Sequence, residues 1–137
     1  MRPYVLAILL ISGCQSPAMA QIQPNLAVQA IIGEAEAEGA PGMLAVACTL
    51  RNRGNLKGVY GLQSFRVTHH LYSQHTLAYA RLAWKYSEQA DLCQAMVHGA
   101  KGWGSDSDLI KFKKHAWWKR CVITDHVGGH WFYKEVR

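Results

Sequence analysis

Two apolar patterns of helical period stand back to back over residues 26–53, separated only by Gly39-Ala40-Pro41. No other stretch narrows the possible fold as far. The first pattern predicts a helix from about Leu26 to Glu38, with Asn25 as N-cap and Gly39 as its stop. Pro41 then opens a second helix, Gly42 to Arg53, ended by Gly54. Its Met43, Val46, Ala47 and Leu50 recur at helical spacing and mark an inward stripe.

Regularity weakens after Gly54. Residues 54–75 are rich in Gly, Ser, Asn and His, and read as loop with one short extended piece near Gln63–Val67. A third helical region begins near Thr76 and continues, bent or broken, to His98, with Leu77, Ala80, Trp84, Leu92 and Met96 facing inward. Gly99, Gly102 and Gly104 break it. A short helical or irregular stretch follows over Leu109–Lys119. Val122-Ile123-Thr124, a Gly128-Gly129 turn and a terminal strand from His130 to Tyr133 close the chain. The expected fold class is mostly α, in an α+β arrangement with a small β element near the C-terminus.

Length and composition agree with one ordered domain. The 137 residues suffice for one real core and not for two, and 50% hydrophobic with 18% charged residues argues against disorder. The formal charge of +6 favours an anionic partner. Much of it lies at the C-terminal end, where Lys111, Lys113, Lys114, Lys119, Arg120, Lys134 and Arg137 face only Asp125 and Glu135.

The first twenty residues read as an address. Met1-Arg2 precedes the apolar Tyr4–Ile11, followed by small residues, which is a secretory layout too short to span a membrane. Ala18-Met19-Ala20 fits cleavage before Gln21, giving a signal peptide over 1–20. Ile11-Ser12-Gly13-Cys14 fits a lipobox instead, giving a lipoprotein signal over 1–13 and a lipidated Cys14 as membrane attachment. Either way residues 21–137 form an exported domain, in the periplasm or cell envelope. Export permits a disulfide, and Cys93–Cys121 is the expected pair, leaving Cys48 as a small core residue.

Glu34, Glu36 and Glu38 are the only acids before residue 88. On a continuous helix Glu34 and Glu38 lie about 40° apart on one face, with Glu36 nearly opposite. Glu34 follows Ala30 and Ile31 by helical steps, so it continues the apolar stripe at the edge of the core. The negative end of the helix dipole, partial burial and Glu38 one turn on all favour a carboxyl that keeps its proton. A protonated Glu is what a glycosidic leaving oxygen needs as general acid. The competing reading is a solvated acidic turn, with Glu34 paired to Arg51 or Arg53.

Two segments bear on that choice. Residues 30–53 contain Gly33-Glu34-Ala35, Glu38, and Ala45-Val46-Ala47 leading to Asn52-Arg53; the chain ends on Gly129-His130-Trp131-Phe132-Tyr133. Together they resemble the cell-wall hydrolases of the spore cortex-lytic type, over the first third and roughly the last ten residues. The resemblance implies a lysozyme-like helical domain that cleaves peptidoglycan glycan strands at the β-1,4 link between N-acetylmuramic acid and N-acetylglucosamine. It places the catalytic acid on Glu34 and the second motif acid, a substrate-side group, on Glu38. It also implies Tyr133 near the catalytic carboxyl. The family's Arg-Gly between the two acids is replaced here by Glu36-Ala37.

A hydrolase of this kind normally needs a second carboxylate. Only Asp91, Asp106, Asp108 and Asp125 could supply one from elsewhere. A lytic transglycosylase needs none, because the sugar's own 6-hydroxyl closes onto C1, and this mode is preferred over a muramidase. The activity calls for no cofactor and no metal, and for a monomer.

All five tryptophans lie from residue 84 onward. Trp103, between Gly102 and Gly104, is the candidate for stacking on sugar in a substrate groove, whereas Trp84 and Trp131 sit in periodic elements and are expected in the core. Trp117 and Trp118 are interleaved with the basic cluster, a pattern compatible with nucleic acid; export makes wall polymer or anionic lipid the better match. Asp125, His126 and His130 suggest zinc, as in a wall amidase or peptidase, but Gly128-Gly129 breaks any helix that would hold the histidines together. A wall-binding lipoprotein without catalysis is the remaining alternative.

Overall fold

A computed structural model describes residues 21–137. Cleavage before Gln21 and lipidation of Cys14 both concern a segment outside the described residues. Among the described residues six α-helices run in the order α1 (Pro24–Ala35), α2 (Gly39–Arg53), α3 (Phe65–Thr68), α4 (Gln74–Tyr86), α5 (Ala90–Val97) and α6 (Asp106–Phe112). Three strands, β1 (Gly102–Gly104), β2 (Cys121–Val127) and β3 (His130–Glu135), form one antiparallel sheet with β3 in the middle. The domain is therefore mostly α with a small C-terminal sheet, as the pattern predicts.

α2 is the centre. Met43, Ala45, Val46, Ala47, Cys48, Thr49 and Leu50 are all buried, so the helix is covered on nearly every side. A helix without a wet face must be surrounded, and α1, α4 and α5 pack on it. Thr49 is accommodated because its hydroxyl donates to Ala45 O at 2.9 Å. Arg51 ties the next layer down. Its guanidinium donates to Trp84 O and Ser87 Oγ, both at 2.9 Å, and lies 3.6 Å over the Trp84 ring. The end of α4 thus docks on the end of α2, and its exposed carbonyls meet a cation.

Local chemistry explains where the chain departs from expectation. Pro24 sits at N1, so Gln23 and not Asn25 is the N-cap. α1 stops at Ala35, and Glu36–Glu38 tighten into a 3-10 turn. The supposed extended piece at Gln63–Val67 is a 3-10 turn over Tyr60–Gln63 followed by α3, which Ser64 caps through Val67 N. The helical region after Thr76 is broken, as expected, between Tyr86 and Ala90. Gly102 and Gly104 do more than break a helix: with Trp103 they form edge strand β1, paired to Trp131–Tyr133.

The disulfide joins Cys48 to Cys93, with Cα atoms 5.1 Å apart, and Cys121 is free. This replaces the expected Cys93–Cys121 pair. α5 packs against α2, which brings Cys93 to Cys48 in the buried core, while Cys121 opens β2 at the sheet. Cys48 is fully buried, as predicted, but as half of a cystine. Trp84 is in the core; Trp131 is not, since it stacks on His126 at 3.9 Å and donates to Asp106 Oδ1 at 2.6 Å on the partly exposed side of the sheet.

Candidate active site

Glu34 sits in the last turn of α1, half-buried. Two segments distant in sequence fix its carboxylate. Gly61 N–H donates to Oε1 at 2.6 Å, and the Trp103 indole N–H donates to Oε2 at 3.0 Å. Both bonds are charge-assisted when the acid is ionised. Each oxygen retains lone-pair capacity for a further partner. Among the described residues Glu34 takes part in no ion pair.

The Gly61 bond depends on an unusually close backbone approach. A Cβ added to Gly33 would lie 2.1 Å from Gly61 O, and one added to Gly61 would lie 2.6 Å from Gly33 C and 2.8 Å from Glu34 N. Neither residue can carry a side chain while α1 and the 60–63 turn remain in place. We expect Gly61→Ala to cost about 2 kcal/mol and lower the melting temperature by roughly 8 °C. A thermal melt within 2 °C of the parent would show that the two backbones do not meet.

Trp103 has two tasks. On the face of β1 paired with the fully buried Phe132 it packs against the core, and its ring edge reaches Glu34. The other face is held by Gly102, where an added Cβ would fall 2.4 Å from the Tyr133 ring. Tyr133 therefore lies across bare backbone, flanked by Phe112, Trp117 and Trp118 with ring centroids 5.0–6.0 Å away. Burial raises its phenol above the ordinary range, with Cys121 and Asp108 adding to this and Arg53 opposing.

A groove of about 960 Å³ runs past these groups. Glu34, Trp103, Tyr133, Arg53, Tyr60 and His130 all line it. Three of the four residues singled out from the sequence, Glu34, Trp103 and Tyr133, thus meet in one place. The fourth does not. With α1 ending at Ala35, Glu38 no longer follows Glu34 by one helical turn. Its carboxylate instead accepts from Gly129 N–H in the β2–β3 turn at 2.5 Å, and Glu38 is not part of the groove lining. Glu36 is taken up by a bidentate pair with Arg66, both contacts 2.8 Å, and by Thr76. Tyr133 shares the groove with Glu34 but makes no hydrogen bond to it.

Neither arginine pairs with Glu34. Arg51 belongs to Trp84 and Ser87, as above. Arg53 lies 5.6 Å from the Trp103 ring centroid and donates to Lys57 O. Its pKa is lowered, chiefly by burial, with the charges of Tyr133 and Glu34 acting the other way.

Of the other candidate acids, Asp91 is exposed in the first turn of α5 and lies away from the groove, and the rest are engaged. Asp108 is the one aspartate of the four candidates that lines the groove, and Ser105 holds it in a capping box through N–H and Oγ at 3.0 and 2.9 Å. Those bonds, the backbone one foremost, keep its carboxyl below the usual range. Asp106 accepts from Trp131, and Asp125 pairs with His98 at 2.9 Å. Glu135, also on the groove, pairs with Arg120.

The histidines do not converge on a metal. His126 stacks on Trp131 and His130 lines the groove, and no cluster of three His, Cys, Asp or Glu side chains exists among the described residues. Arg53 and His130 as groove residues, and Gly61 as a donor to Glu34, are assignments that sequence reasoning missed. His130 has a buried Nδ1 without a partner. The Gly33–Gly61 contact joins segments 28 residues apart, and no local pattern announces it. No protein-family model, curated protein or solved structure matches the chain.

Proposed function

We propose that this domain is an exported peptidoglycan-degrading enzyme of lysozyme-like type, cleaving the β-1,4 bond between N-acetylmuramic acid and N-acetylglucosamine with Glu34 as general acid and base. One observation carries the reading: an acid free of any ion pair, its two oxygens fixed by Gly61 N–H and Trp103 N–H, stands in the wall of an open aromatic-lined groove. Other carboxylates pair with arginine or histidine, cap a helix, or, like Glu38 and Asp106, accept from a single N–H, whereas Glu34 is held through both oxygens by donors from two distant segments. Glu34 is spent on being positioned.

The chemistry follows from what surrounds it. Protonated Glu34 gives its proton to the glycosidic oxygen as the C1–O bond breaks. A hydrolytic double displacement or inversion then needs a second carboxylate. The two other carboxylates of the groove are the capped Asp108 and the Arg120-paired Glu135. That favours the transglycosylase mode. The 6-hydroxyl of the muramic acid attacks C1, its proton passes to Glu34, and a 1,6-anhydro end results with the acid regenerated. The apolar faces of the sugar rings stack on indole and phenol rings such as Trp103 and Tyr133.

Digestion of purified sacculi followed by mass spectrometry tests this directly. Anhydromuramyl ends are the expected product. Reducing ends would keep the glycosidase and replace the mode by hydrolysis. Freed peptides, or binding without any product, would overturn it. Trp103→Phe retains the ring and removes one donor to Glu34. It should lower kcat about tenfold or more, in proportion to one lost hydrogen bond to a charged group, with KM changed less. An unaltered kcat would remove Trp103 from any role in positioning the acid.

A further inference from the structure

One cation of the groove is built into its wall. Arg53 occupies the last turn of α2, half-buried. Two bonds fix that helix end to the segments that grip Glu34. Asn52 Nδ2 donates to Ala100 O at 2.9 Å, just before β1, and Arg53 Nη2 donates to Lys57 O, on the way to Gly61. The Arg53 guanidinium lies over the Trp103 ring, 5.6 Å from its centroid, and the N–H of that same ring holds Glu34. A single indole thus has the acid at its edge and the cation over its face.

No carboxylate is paired with this cation. Among the described residues Arg53 takes part in no ion pair, and Lys57 O is the one acceptor its guanidinium finds. The groove's acids are committed elsewhere: Glu34 to Gly61 and Trp103, Asp108 to its cap, Glu135 to Arg120. A guanidinium cannot shed its charge to escape this setting, and removing it from water without a partner is costly. Burial is the chief reason that its pKa is lowered. Arg51, two residues earlier, is fully used by contrast, on Trp84 O and Ser87 Oγ. The free N–H groups of Arg53 form a planar fork suited to carboxylate or carbonyl oxygens.

The glycan offers one such acceptor close to the scissile bond. N-acetylmuramic acid differs from N-acetylglucosamine by a lactyl ether on C3. Its carboxyl is an amide carbonyl where a stem peptide is attached and a free carboxylate where the stem has been removed. C3 and C1 flank the acetamido-bearing C2 of one ring, so a group that grips the lactyl oxygens stands near a group that serves C1. Resting on the glycosidase reading above, we infer that Arg53 binds the lactyl carbonyl or carboxylate of the muramic acid whose C1 faces Glu34, and that it is the residue by which the groove tells muramic acid from glucosamine. One hydrogen bond from a charged donor corresponds to roughly a tenfold preference or more.

The test compares amidase-stripped glycan strands with chitin oligosaccharides of matched length. Both have the β-1,4 backbone and acetamido groups; alternate residues of the stripped strand add a lactyl carboxylate. Binding is measured by calorimetry in the Glu34→Gln protein, which blocks turnover. The stripped strand should bind about tenfold tighter or more at low salt, and the gap should narrow as salt rises. Adding Arg53→Gln should weaken binding of the stripped strand about tenfold and leave chitin binding within about twofold, with thermal melts checking the fold. Arg53→Lys keeps the charge without the fork and should fall between. Equal affinity for the two polymers while Arg53 is intact, which needs no second variant to measure, overturns the inference. So does a preference that survives Arg53→Gln in a folded protein, or an equal loss of both ligands, as a merely structural arginine would give. Product release from sacculi by the parent enzyme is read separately. An Arg53-dependent preference without any product overturns the glycosidase reading and leaves Arg53 as a muramic acid ligand; product without that preference does the reverse.

Discussion

Glu34→Gln should reduce glycan cleavage by roughly 10²–10⁴-fold, the usual contribution of a positioned acid–base group. The substitution conserves shape, so the groove is retained. It is not silent for stability. A carboxylate accepts from Gly61 N–H and Trp103 N–H at once, but an amide offers one oxygen and one NH2 group. One of the two donors must lose its acceptor, at a cost of about 1–2 kcal/mol. The two effects separate cleanly: a modest drop in melting temperature accompanies a near-total loss of product. Glu34→Asp keeps the charge and withdraws it by one methylene, so it should fall between parent and Gln. Full activity in the Gln variant would remove Glu34 from the chemistry altogether.

Breaking the Cys48–Cys93 bond should be the largest single blow to stability. It closes a loop with a sequence separation of 45 residues, for which the loop-entropy estimate is about 4 kcal/mol. Removing it by Cys93→Ser, or by reduction under denaturant, should shift the urea midpoint by roughly 2 M at an ordinary m-value. α5 would be the first element to loosen, being an eight-residue helix tied to α2 by that bond and to α4 by the Ser87–Gln89 break. Cys121→Ser should move the midpoint little, since its sulfur makes only a 3.7 Å contact with Trp117 O. Coincident unfolding of oxidised and reduced protein would show that the cross-link carries no stability. Large effects of both Cys93→Ser and Cys121→Ser, with little effect of Cys48→Ser, would restore the pairing first expected from sequence.

The two predictions bear on different distances along the chain. That Glu34 stands at the edge of the core was legible because burial and helix position are local: Ala30, Ile31 and Glu34 share one face within little more than a turn. The break between α4 and α5, the hairpin over Gly128-Gly129 and the central α2 were legible for the same reason, each written in spacing or turn chemistry. Glu38 misled because helical phase was carried past Ala35, where the backbone tightens into a 3-10 turn and the angular relation to Glu34 no longer holds. Trp131 misled because its strand has one face on the core, through Phe132, and the neighbouring position points the other way.

The residues themselves determined that this is one mostly helical domain with a small terminal sheet, that three glutamates cluster where its first helix ends, and that its cations outnumber its acids. These follow from composition and from periodicities of two to four residues. Tertiary structure alone decided which cysteine meets Cys93, which backbone N–H holds Glu34, and that Trp103 and Tyr133 share one groove with that acid while Glu38 serves the hairpin. Such pairings join segments tens of residues apart, and they are chosen by how α2, the 60–63 turn and the sheet fill the space between them.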